Sequence, residues 1–247
     1  MRILRLYLGS MSGTALGPAA PFYAYAVVHR DGVVLVDTGF GTMFGGAEAA
    51  GELRYGDMRC SWVRRTAVEA LADHGIEPAE VSIVVNTHLG DHSGDNCLFP
   101  HARFVVRAAE VAWHRAGHAP LAEQSRPAWD FPGARLEQLG PADTEILPGI
   151  TCLSTPGHTP GHQSVLVEAD GERSLIVGDA FYTTDLWRNP ERLTQDHPFW
   201  DTQIQMADGA DLWRSSAARL ISLNPTTVYF AHDHRRSTAH QEMPATH

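Results

Sequence analysis

The sequence predicts an α+β protein in which two β-sheets pack face to face and helices cover their outer sides. Short β-rich runs and helical patterns follow one another as strands, helix, strands in each half of the chain, an order that suits two sheets with helices outside. The 247 residues contain no low-complexity tract, no linker-like shift in composition and no repeat at a fixed period, so one domain spanning 1–247 is the simplest reading.

Each element has a local reason. "ILRLYLGSM" opens as a strand, and "FYAYAVVHRDGVVLVDTGFG" reads as two more, because Asp31 and Gly32 supply a hairpin turn between β-rich runs. Ser61 is placed to cap a helix through about Asp73, with Val63, Ala67, Ala70 and Leu71 near helical spacing and Gly75 at the C′ position. "VSIVVNTH" then reads as a buried strand, its apolar run too short for a helix and bounded by polar residues. A strand "RFVVR", a helix near Ala108 to Arg115 and a Pro- and Gly-rich connection to about Pro148 come next. "ITCLST", "SVLVEA" and "SLIVGDA" are strands, a helix from about Ala210 to Leu223 is stopped by Asn224-Pro225, and "TVYFAH" is the last strand.

Composition narrows the function. Lys plus Arg number 19 against 29 Asp plus Glu, and the resulting charge of −10 argues against nucleic acid and anionic membrane surfaces as partners. Small molecules are the expected partners, and the oligomeric state stays open. No basic segment leads into an apolar one at the start, and no run of about 18 apolar residues occurs, which reads as a cytoplasmic protein. Cys60, Cys97 and Cys152 are an odd number without short spacing, so they are read as buried small hydrophobes rather than a disulfide framework or thiolate cluster.

The chemistry lies in the histidines. Four separated pieces each close a predicted strand with His or Asp: "NTHLGDH", "STPGHTPGH", "LIVGDAFY" and "VYFAHDH". Loops held by a rigid scaffold are where binding residues concentrate. Imidazole and carboxylate together suit zinc, iron or manganese, and the lack of thiolates favours a catalytic over a structural site.

With "LVDTG", these pieces resemble the metallo-β-lactamase superfamily, and within it the N-acyl homoserine lactonase branch, from about Tyr7 to His234. The resemblance implies an αββα sandwich of two mixed sheets, one or two metal ions at one edge, zinc first with iron or manganese as alternatives, and hydrolysis of a carbonyl substrate by metal-activated water. That substrate is an acyl lactone, ester or thioester. It implies His88, Asp91, His92, His158, Asp179 and His232 as metal ligands, Asp179 bridging, with Asp91 and Tyr182 as catalytic groups. Asp91 or Asp179 would hand a proton to the leaving group, and the Tyr182 hydroxyl would reach the substrate carbonyl. Asp37 becomes a carboxylate that orients a ligand, and His162 stands behind the ligands in the same way. A thioester hydrolase or cyclase of polyketide metabolism, and a metal-impaired descendant, are the alternative readings on the same fold.

One departure stands out. The family loop reads H-x-H-x-D-H, whereas Thr87-His88-Leu89-Gly90-Asp91-His92 is one residue short and lacks the middle histidine. The expectation is fewer than two tightly held metals, or a substitute ligand. His88 and His158 would share one ion with Asp179, while Asp91, His92 and His232 serve the other, unless the short loop swaps them. His101, His114, His118, His197 and His234 are read as surface or pocket histidines, any of which is available as a substitute. Trp187, Trp200 and Trp213 either line an apolar acyl pocket or pack in the core.

Overall fold

The computed structural model describes residues 1–13, 19–41, 50–55, 58–120, 122–235 and 237–238. The hairpin expected at Asp31 and Gly32 joins β2 (Ala20–His29) to β3 (Gly32–Val36), and β2 also pairs antiparallel with β1 (Arg2–Ser12). Beyond β1 lie β5 (Met58–Arg64) and then β4 (Ala50–Tyr55). On the other side β6 (Val81–Val85), β7 (Arg103–Arg107) and β8 (Arg135–Leu139) extend the sheet in parallel. The strand order is β4-β5-β1-β2-β3-β6-β7-β8.

The second sheet holds β9 (Thr144–Leu147), β10 (Ile150–Ser154), β11 (Gln163–Ala169), β12 (Glu172–Ile176), β13 (Thr227–Tyr229) and β14 (Ser237–Thr238). Its order is β14-β13-β12-β11-β10-β9, antiparallel except for the parallel β12–β13 pair. Both sheets are therefore mixed.

Side-chain alternation builds the layers. Val34, Val36, Ile83, Val85 and Val105 face Ile150, Cys152, Val165, Val167 and Ile176 between the sheets. Their neighbours Val33, Leu35, Val84 and Phe104 face the opposite way, beneath Ala67, Ala70 and Leu71 of α1 (Ala67–Ala72). Across the molecule Leu153, Leu166, Leu175 and Val228 pack under Trp213, Ala217 and Leu220 of α6 (Gly209–Ser222). The order helix, sheet, sheet, helix is the expected αββα sandwich. Such continuous apolar runs arise because strands covered on both faces need no polar side.

Several local expectations are corrected. The helix begins at Ala67 rather than after Ser61, because residues 58–64 pair with β1 and β4. Thr66 caps it instead, accepting from the Glu69 amide while Glu69 returns to the Thr66 amide. The connection before Pro148 holds α3 (Ala122–Trp129), β8 and β9. Only Ala122, Ser125 and Trp129 of α3 are buried, so its apolar stripe is weak, and Pro127 lies inside it. Cys60 and Cys152 are buried as expected, whereas Cys97 is exposed. Trp213 is core, its indole N–H donating to the Ala180 carbonyl at 2.7 Å, and Trp187 and Trp200 pack against the same cluster.

Two further helices follow α1 as α2 (Ala108–Arg115) and, in the second half, α4 (Thr184–Arg188) with the single turn α5 (Trp200–Gln203). Among the described residues no helix is long and apolar enough to cross a membrane. β3 and β6 run parallel, as do β12 and β13, so the loops after their C-terminal ends gather at one edge of the sandwich. Asp37, His88, Asp179 and His232 lie on those four loops.

The corrected cap is testable. Thr66→Ala should cost about 1 kcal/mol of stability in urea unfolding, a typical loss for an N-cap side chain. Ser61→Ala, within β5, should lack that cap penalty; equal losses in both would show that Thr66 does not cap α1.

Candidate metal centre

The site is built around one buried carboxylate. Asp179 lies in a 3-10 turn, Gly178–Ala180, which follows β12. Its Oδ1 is 3.2 Å from His232 Nε2 and 3.4 Å from His92 Nε2, and those two nitrogens are 3.3 Å apart. Its Oδ2 is 3.6 Å from His158 Nε2 and 4.0 Å from His88 Nε2. The carboxylate thus stands between two pairs of imidazoles. All five residues are buried.

Each ring is turned by its far nitrogen. His158 Nδ1 donates to the Gln203 carbonyl (3.1 Å) and His232 Nδ1 to the Pro21 carbonyl (2.9 Å). His92 Nδ1 donates to Asp37 Oδ2 at 2.9 Å. His88 Nδ1 lies 3.2 Å from the Thr87 hydroxyl, which donates onward to Asp37 Oδ2. With Nδ1 occupied, Nε2 is the nitrogen left to face Asp179 in all four rings, which is how outlying hydrogen bonds aim metal-binding histidines. Asp37 therefore fixes the His92 ring and the Thr87 hydroxyl together, and it holds a positive φ of 63° to do so. Such a backbone costs about 1–3 kcal/mol in a non-glycine residue.

His162 is placed behind the cluster. Its Nε2 accepts from the Asp179 amide at 3.0 Å, and its Nδ1 donates to the Thr155 carbonyl at 3.1 Å. Gln203, fully buried, donates from its side-chain amide to the Asp179 carbonyl.

Electrostatics follow from this packing. Burial disfavours ionised Asp179, but the charges of His92 and His232 hold its carboxyl well below the usual range. Burial and the neighbouring His88 push His158 down to about 4, leaving it neutral at pH 7. His92 behaves oppositely: burial works against its charge, yet Asp179 and Asp37 raise its pKa to about 10. The Nε2 atoms of His88 and His158 are buried and have no hydrogen-bond partner. Buried polar atoms are nearly always paired, so two orphaned imidazole nitrogens beside a carboxylate fit a divalent cation. His88, His92 and Asp179 also offer three donor atoms that all lie within 4.8 Å of one another.

The short loop places the remaining residues. Gly90–His92 forms a 3-10 turn, started by Gly90 at φ +80°. Asp91 Oδ1 lies 3.6 Å from His88 Nε2, and Asp91 is partly exposed. Asp91 thus stands beside His88, whereas His92 turns to His232. Tyr182 packs edge-on against His158 and His232, with centroids 5.8 and 5.1 Å away, and its hydroxyl donates to the Thr202 carbonyl at 2.8 Å.

A family model, the metallo-beta-lactamase superfamily, matches residues 21–232. The chain belongs to that superfamily. It is 27% identical over 227 residues to an N-acyl homoserine lactonase of a Bacillus species, covering 86% of this chain and 81% of the relative. A solved structure of a B. thuringiensis AiiA variant, with N-decanoyl-L-homoserine at its active site, aligns at 24% identity with a TM-score of 0.69 over 94% of this chain and 93% of that one. The dizinc quorum-quenching lactonase AidC aligns at 13% identity with a TM-score of 0.64, covering 93% of this chain and 86% of its own. The protein is a hydrolase of the metallo-beta-lactamase superfamily, whose fold binds divalent metals.

Within this superfamily member the sequence reading missed the residues that position the site. Thr87 and Thr155 lie inside the His-bearing pieces but are not distinguished there, and Gln203 carries no motif signal. Glu110 and His114 sit four apart on a helix, a spacing that does suggest a pair. His114, read as a surface or pocket histidine, is buried, with Nε2 3.3 Å from Glu110 Oε1.

Asp37 supplies a test of the orienting network. Asp37→Asn keeps the shape but sets an uncharged amide against His92 Nδ1, and zinc affinity in a competing-chelator titration should fall about 10- to 100-fold. Unchanged affinity would detach Asp37 from metal binding.

Proposed function

We propose that the protein opens a lactone ring, and that two divalent ions, zinc first among the candidates, are held on the two sides of Asp179. His88, His158 and Asp179 Oδ2, with Asp91 alongside, would hold one; His92, His232 and Asp179 Oδ1 would hold the other. The observation that carries this reading is the single buried carboxylate dividing four imidazoles into two pairs, two of their Nε2 atoms unpartnered. The relatives named as N-acyl homoserine lactonases support an acyl lactone as the substrate.

A bound divalent ion supplies carbonyl polarisation and lowers the pKa of water to about 7. The protein's own groups do the rest. Loss of water around Asp91 opposes its ionisation, but the neighbouring His88 and His92 imidazoles bring its pKa down to about 2. It is therefore a carboxylate at neutral pH, placed to take a proton from the attacking water and return it to the ring oxygen as that bond breaks. Burial and the charges of Asp179 and Asp91 push the Tyr182 hydroxyl well above its usual range, so it keeps its proton. That proton rests on the Thr202 carbonyl. Rotating it from this acceptor to the oxyanion provides a donor where negative charge develops.

Purified protein should carry two metal ions per chain by mass spectrometry. It should open N-acyl homoserine lactones with a kcat/KM at least about 10-fold above that for aryl esters and acyl thioesters, activity ending on metal removal and returning with zinc. A preference for thioesters would replace the lactone reading, and turnover unaffected by complete metal removal would end the metal-dependent one. Tyr182→Phe should lower kcat on lactones by roughly 10- to 100-fold, somewhat less than loss of a fixed oxyanion donor, with metal content intact. Equal kcat in the variant would leave Tyr182 a packing residue.

A further inference from the structure

Outside the cluster, one buried acid has no part in the chemistry above. Glu110, on α2, is fully buried, and its two oxygens are divided between the loops that carry His88 and His158. Oε1 accepts from the Leu89 amide at 3.1 Å, one residue after His88. Oε2 accepts from the Thr159 hydroxyl at 2.7 Å and the Gly161 amide at 3.2 Å, on the turn that begins at His158 and ends at His162. The same carboxylate faces His114 Nε2 at 3.3 Å. A buried carboxylate with four donors around it is a rigid joint, because removing it would strand buried N–H and O–H groups.

The joint lies where the loop is short. A Cβ built on Gly90 would come within 3.6 Å of His114 Cε1, so the ring paired with Glu110 packs against the residue that directly follows Leu89. Gly161 is pressed on the same helix, its Cβ position 2.2 Å from the Glu110 amide nitrogen, an approach that only a residue without a side chain allows. His88 and His158 come from different sheets, and among the described residues Glu110 is the side chain hydrogen-bonded to both of their loops.

We infer that Glu110 is a positioning residue that sets the distance between His88 and His158, taking over the bracing of a loop that has lost a histidine. Resting on the two-metal reading, the inference gives Glu110 influence over the His88–His158 side of Asp179 alone. His92 and His232 are held instead by Asp37 and the Pro21 carbonyl.

Glu110→Gln and the isosteric Thr159→Val, which removes one bond of the joint, separate this from general destabilisation. Wild-type protein titrated with zinc against a competing chelator should bind in two steps, and cobalt substitution should give a visible spectrum for each. In Glu110→Gln one step should weaken by about 10- to 100-fold and its cobalt bands shift, while the other step stays put; Thr159→Val should weaken the same step by less. Both steps unchanged in the two variants, or both weakened equally along with the melting temperature, would overturn the positioning role. Wild-type protein that takes up no zinc would instead overturn the two-metal reading on which the role rests.

Discussion

The whole arrangement depends on keeping one charged carboxylate inside the protein. Asp179 is buried at the edge between two sheets, where an isolated charge would be heavily penalised. Four imidazole nitrogens within 4.0 Å make the burial tolerable, and they come from three separate loops. No one of these loops could supply them alone. A site of this kind exists only when the sandwich brings the ends of β6, β12 and β13 and the turn after β10 to one place.

Holding the rings is as demanding as gathering them. Every one of the four has its outer nitrogen taken, and two of the acceptors are backbone carbonyls, those of Pro21 and Gln203. Pro21 lies near the start of β2 in the first sheet, while Gln203 ends the short turn α5. The orientation of His232 and His158 is therefore a property of distant backbone rather than of their own motifs. Asp37 joins the same scheme at the cost of a strained backbone, with both oxygens committed, to Thr87 and His92. Strain kept beneath the loop that carries His88 and His92 fits a functional site better than a folding requirement.

The loop without the middle histidine is tight. Gly90–His92 forms a 3-10 turn just after Leu89, and Asp91 lies on the His88 side. On the two-metal reading proposed above, the group standing beside His88 is therefore a carboxylate of the same loop. His114, one of the available substitutes, is engaged with Glu110 instead.

What the sequence determined by itself was what short range can encode. The apolar runs around Val34, Val84 and Val165 marked strands covered on both faces, the Asp31-Gly32 turn fixed a hairpin, and four His- and Asp-bearing strand ends marked the site. Where local signals competed, long-range pairing won: Ser61 offers a cap, but its strand is claimed by β1 and β4, so the helix waits for Thr66. Asp91 beside His88, the Tyr182 proton on the Thr202 carbonyl, and Glu110 joining two loops were decided only by the tertiary structure. These are contacts between residues far apart in the chain, or the product of one loop's exact length, and a hydrogen bond needs its partner within about 3 Å in the right direction, which no pattern of residue types can specify.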